Sequence, residues 1–73
     1  MQQKSKVIER SNLFNAILAR NLSDRMFDLT SKRIEKFDPY NHEAREAEAK
    51  RLCGIITSSK TEAEMIRRIE ELD

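Results

Sequence analysis

Residues 51–64 read RLCGIITSSKTEAE, and the way this stretch divides decides the fold. It holds the single cysteine and the single glycine of a 73-residue chain. Either a helix ends at Gly54, or it runs through the glycine and breaks later. Ala49, Leu52, Cys53 and Ile56 fall at i, i+3, i+4 and i+7, which is one face of a helix. That stripe crosses Gly54 without losing phase. The sequence therefore predicts a helix over about 41–57 that passes through Gly54. A mid-helix glycine costs about 1 kcal/mol relative to alanine, so close packing against a neighbouring helix is its expected reason. The break then falls in residues 57–60. Beyond it, Thr61 with Glu64 forms a capping box, hydroxyl to one free amide and carboxylate back to another. Ser59 with Glu62 offers the same arrangement two residues earlier. A fourth helix over 61–72 follows, with a narrow apolar seam of Met65, Ile66, Ile69 and Leu72. Arg67, Arg68, Glu70 and Glu71 cover its other faces.

Working towards the N-terminus, DPYN at 38–41 contains the single proline. Proline disfavours helix at the residue before it, so the preceding helix stops by Phe37. The next one starts either at Asp38 with Pro39 in its first turn, or at Asn41 as N-cap. The second helix spans about 24–36, with Met26, Phe27, Thr30, Ile34 and Phe37 along one side. Asp28 and Lys32 stand one turn apart on the other, acid first, the favourable order for an exposed pair. Asn21 suits the left-handed residue that ends a helix, Leu22 the apolar residue that folds back, and Ser23 the next N-cap. The first helix covers about 5–20, its start open between Ser5 and Ser11. Leu13, Phe14, Ile17 and Leu18 form its expected apolar face.

Composition agrees. One glycine and one proline, with 37% charged residues against a typical ~25%, favour helix throughout. The expected fold is all-α, a compact bundle of four short helices in a single domain over 1–73. Residues 1–5 are read as a flexible tail, and both a monomer and a homodimer remain open. A chain this short buries only about 60% of its unfolded surface. One cysteine forms no internal disulfide, and no Cys/His cluster offers a zinc site, which leaves a good helical core or self-association as the source of stability. The lone thiol and the lack of any ~20-residue apolar run point to a soluble cytoplasmic protein with no membrane span.

Net charge is +1, but unevenly spread. Residues 1–37 carry eight Lys or Arg against four Asp or Glu, and residues 38–73 carry six against nine. The candidate nucleic-acid contacts are Arg20, Arg25, Lys32, Arg33 and Lys36. Asp24, Asp28 and Glu35 interleave with them, and no aromatic residue sits among them for base stacking.

With Gly54 in a turn, residues 51–64 resemble the joint of a DNA-binding helix-turn-helix, and residues 57–61 become groove-facing. The pattern departs at Lys50, where that family has a small residue, and at Lys60, where it has an apolar one. Glu62, Glu64, Glu70 and Glu71 would also face a phosphate backbone that repels them. The stretch from FDPYN to IEELD resembles one tetratricopeptide-type hairpin in its Asp-Pro boundary and paired helices. That family's aromatic, leucine and glycine positions are charged residues and alanines here, so the likeness is one of helix punctuation.

His42 and Glu46, one turn apart beside Asp38 and Glu43, lack the further ligands of a metal site, and acids at a helix N-terminus are favoured by the dipole alone. Cys53 lies on the apolar stripe and is expected to be a buried, inert thiol. Four short helices are expected to leave little room for a substrate cavity of ~300 Å³. No catalytic residue, cofactor or metal is assigned. The leading expectation is a non-enzymatic regulatory or adaptor protein acting through protein–protein contact, with Met65, Ile66, Ile69 and Leu72 as the contact seam. The alternative is a nucleic-acid-binding regulator using the five basic residues above.

Overall fold

The chain folds into four helices: α1 (Ile8–Ala19), α2 (Asp24–Glu35), α3 (His42–Ser58) and α4 (Glu62–Glu70). The computed structural model describes residues 8–72, and no strand occurs among them. The expected tail at 1–5 and the Ser5 cap lie outside the described residues. Helix α3 is the centre of the bundle, packing against each of the other three, and α1 meets it most extensively. Leu13 and Ile17 from α1, Met26 and Ile34 from α2, Ala49, Leu52, Ile55 and Ile56 from α3, and Met65 and Ile69 from α4 form one core. Each large aliphatic side chain buried there contributes about 1.5–3 kcal/mol.

The helix boundaries follow local chemistry. Asn21 adopts φ 54°, the left-handed conformation. Its N–H donates to the Leu18 carbonyl at 3.0 Å, and the Leu22 N–H to the Ile17 carbonyl at 3.1 Å. These two bonds are a Schellman motif, and Leu22 packs against the core beyond it. At DPYN the structure selects Asn41, whose side chain accepts from the Ala44 N–H at 3.2 Å. Asp38 instead closes a turn, accepting the Tyr40 N–H on its carboxylate at 2.8 Å and the Asn41 N–H on its carbonyl at 2.9 Å. Thr61 caps α4 through the Glu64 N–H at 3.1 Å, while the Glu64 carboxylate takes the Lys60 N–H at 3.3 Å.

Helix α3 runs unbroken through Gly54, as the apolar phase predicts. The expected reason for the glycine does not hold. Gly54 is exposed, and a Cβ built there meets nothing within 4 Å. No helix approaches it closely. Its carbonyl instead accepts the Thr57 and Ser58 hydroxyls, at 3.3 and 2.7 Å.

Two further expectations are corrected. Cys53 is half-buried and not fully enclosed, because α3 turns Ile55 into the core beside Ile56. On α1 the side packed on α3 carries Leu13 and Ile17, both fully buried. Phe14 and Leu18 lie farther round the helix and remain 40% and 65% exposed.

Candidate functional site

Each basic residue singled out in the sequence has a defined place. Arg20 ends α1 and reaches across to the C-terminus of α3. Its guanidinium donates to the carbonyls of Ile56, Ser59 at 2.9 Å and Lys60 at 3.5 Å. Ile56 lies in the last turn of α3, whose carbonyls a helix end leaves unpaired, and positive charge there is also favoured by the helix dipole. Arg33 lies across α2 from the exposed face and donates from Nε to Glu48 Oε2 at 2.8 Å. Its side chain is 13% exposed and that of Glu48 only 4%. Arg25 pairs with Glu70 at 3.6 Å and Lys32 with Asp28 at 3.2 Å, both on the surface. Four of the five are thus divided between internal bonds, Arg20 and Arg33, and surface ion pairs, Arg25 and Lys32.

Lys32, Arg33 and Lys36 line an open cleft of about 320 Å³ between α2 and α4, with Leu29, Ile69 and Glu70. That volume exceeds what four short helices were expected to leave. In this lining Lys32 pairs with Asp28, Arg33 with Glu48, and Glu70 with Arg25.

The seam on α4 faces inward. Met65 and Ile69 have no exposed surface, and Ile66 and Leu72 are half-buried against the same core. Their apolar area is used in the core that holds α4 against α3. The cluster near His42 is also occupied elsewhere: Glu46 accepts the Glu9 N–H at 2.7 Å and Arg10 Nε at 2.8 Å. Among the described residues no group of three His, Cys, Asp or Glu converges to hold a metal. Burial pushes the Cys53 thiol above its ordinary pKa, and the Glu9 carboxylate adds to the shift. The thiol is therefore protonated at neutral pH, the unreactive form.

Sequence reasoning missed the outer face of α1. No family model, curated protein or solved structure matches this chain. Its function must be read from its own surface, and this face is the most distinctive part of it. From Ser11 to Ala19, SNLFNAILA, there is no charged residue in a chain that is 37% charged. The charges that flank this run turn towards α3: Arg10 to Glu46, and Arg20 to the α3 carbonyls. What remains outward is Ile8, Ser11, Phe14, Asn15, Leu18 and Ala19, all exposed. Phe14 rests against half-buried Phe27 of α2, ring centroids 5.8 Å apart and tilted by 39°. Beside them, Phe14, Arg10, Ser31, Ile34, Glu35 and Arg45 border a shallow recess of about 170 Å³. The signal was present in the sequence, since α1 is apolar on both sides and one core can bury only one of them.

Proposed function

We propose that this chain is a non-enzymatic regulatory or adaptor protein of a reducing, cytoplasmic setting that works by protein–protein contact through the outer face of α1. The observation that carries this reading is the uncharged apolar surface of Phe14 and Leu18, backed by Phe27. Interface centres are depleted of charge and enriched in aromatic residues relative to the rest of a surface. Contiguous exposed apolar patches on soluble proteins mark interaction sites. The commitment of Arg20 and Arg33 to internal bonds supports this reading over the nucleic-acid alternative, because it removes two of the five candidate phosphate contacts.

Affinity capture from cell lysate tests the proposal, with the tagged wild-type chain beside the Leu18→Glu variant. Proteins held through α1 are expected to persist after nuclease treatment and at about 200 mM salt, and to be lost from the variant. Phosphate-driven binding weakens steeply between about 50 and 200 mM salt. Loss of every partner on nuclease and salt treatment would return the reading to nucleic acid.

A further inference from the structure

We propose that the recess between Phe14 and Arg45 seats one acidic side chain, aspartate or glutamate, of a partner segment whose flanking apolar residues cover Phe14 and Leu18. This rests on reading the outer face of α1 as a protein-contact surface, and it names the chemistry of what binds there.

The first argument is an arginine left incomplete. Arg45 lies one turn into α3 and borders the recess together with Arg10, Phe14, Ser31, Ile34 and Glu35. Its Nη2 donates to the Phe37 carbonyl at 3.1 Å. Its Nε is buried and donates to nothing, the one buried side-chain nitrogen or oxygen in that state among the described residues. No carboxylate pairs with this guanidinium among them either. Arg10, at the same recess, has Glu46 at 2.8 Å, and Arg33 has Glu48 at 2.8 Å. A buried donor without an acceptor is costly, and a cation held from water without a counter-charge is more so. A carboxylate answers both, because its two oxygens match the guanidinium fork.

Size is the second argument. The recess measures about 170 Å³. Pockets for whole small molecules run from about 300 to 1,000 Å³, so this one takes a single side chain. Phe14 forms an aromatic wall, Ile34 is buried at its edge, and Ser31 brings a hydroxyl that is able to donate to the same group.

The surrounding charges decide which acid fits. Glu35 is exposed and also borders the recess, and no ion pair joins it to Arg45. Its carboxylate repels a second acid brought in beside the first. A run of acids is therefore disfavoured and an isolated one is admitted. The neighbours of that acid must be uncharged, because they meet the run from Ser11 to Ala19, which offers a charge no partner.

The experiment titrates the isotopically labelled full chain with capped pentapeptides, followed by nitrogen–proton correlation NMR. The signals read are the Arg45 Nε–H and the backbone amides of Phe14 and Leu18. The probes are Ala-Leu-Glu-Leu-Ala, its glutamine and lysine counterparts, and the acidic run Ala-Glu-Glu-Glu-Ala, all at one ionic strength. The glutamate peptide is expected to shift all three signals with a Kd on the order of 1 mM, the strength of one anchored side chain. The glutamine peptide should bind at least about ten-fold more weakly, since the charge-assisted bond is lost. Arg45→Gln should bring the glutamate peptide down to that level, and Arg45→Lys should restore part of it, because the charge returns without the fork. The comparison of glutamate with glutamine on the wild-type chain needs no variant to fold. Equal binding of those two peptides overturns the acid seat, and it keeps α1 as a contact face where Phe14 and Leu18 still shift. An acidic run or a lysine peptide that binds as tightly as the single acid also overturns it. No shift at Arg45 with the glutamate peptide up to about 10 mM overturns the seat outright, and the α1 reading then stands or falls on Leu18-dependent capture alone.

Discussion

Replacing Arg33 by methionine isolates the carboxylate of Glu48, and the structure sets the cost. The Glu48 side chain is 4% exposed, and its near partner is Arg33 Nε at 2.8 Å. Its second partner, Arg51, stands 3.7 Å away with a side chain 57% in solvent. Removing one member of a buried pair typically costs 3–5 kcal/mol, because the remaining charge is left without compensation. Arg51 can compensate in part, which places the expectation at about 2–4 kcal/mol. A domain of this length has roughly 4–11 kcal/mol of stability in all. The single substitution is therefore expected to remove from about a fifth of it to nearly all. In urea unfolding followed by far-UV circular dichroism, the midpoint should fall sharply with little change in slope. The double variant Arg33→Met, Glu48→Leu removes both charges and leaves apolar volume in their place. It should recover most of the loss and can exceed the wild type, since buried pairs replaced by packed apolar groups are often neutral or stabilising. A loss under about 1 kcal/mol for the single variant, or a double variant no better than the single, would refute the reasoning.

Gly54→Ala should stabilise the protein by about 0.5–1 kcal/mol, because the position is helical and open. At 4–8 °C per kcal/mol, a thermal melt should rise by several degrees, and a fall would show that something does pack there. Ile69→Asp should leave the protein largely unfolded by circular dichroism, since the site has no exposed surface and offers a carboxylate no partner; a native-like melt would remove Ile69 from the core. Ser23 donates from its hydroxyl and its N–H to Glu62 and holds that carboxyl below its ordinary value of 4.5. A depressed folded pKa contributes stability that is complete above the unfolded value and lost as pH falls through the folded one. Glu62→Gln should therefore flatten the stability profile below about pH 4.5, and an unchanged acid limb in pH-dependent melts would show that the contact is not formed.

The parts of the fold legible in the sequence are those governed by neighbours along the chain. Asn21 with Leu22 and Thr61 with Glu64 act within a few residues and mark their boundaries as expected, whereas at DPYN local chemistry left Asp38 and Asn41 both open and the structure takes Asn41. The phase of the α3 stripe survived Gly54 for the same reason. What was not legible depends on contacts between distant residues. Arg20 and Arg33 look like surface cations until α3 supplies carbonyls to one and Glu48 to the other. Ser23 looks like a self-sufficient cap until Glu62, 39 residues later, takes its hydroxyl. The division of α1 into a buried and an open side depends on how the helix rolls onto α3, and a stripe of four apolar residues does not specify that. The α4 residues read as a contact seam turn inward, Met65 and Ile69 fully, because the core they complete is built from distant parts of the chain.

The two clasps at one end of the bundle, Arg20 onto the end of α3 and Ser23 onto Glu62, also bear on how the protein is made. Both join residues 36–40 positions apart. Helix α1 finds most of its packing on α3, and its contact with the adjoining α2 is slight. A growing chain that has released only α1 and α2 thus holds two helices with little reason to stay together. Local turns form early and cheaply, whereas the closing contacts wait until residue 62 is free of the ribosome. Folding is then a single late event, and the exposed Phe14 and Leu18 spend the interval beside a second apolar side not yet covered. In that interval the nascent protein is most open to capture by a chaperone.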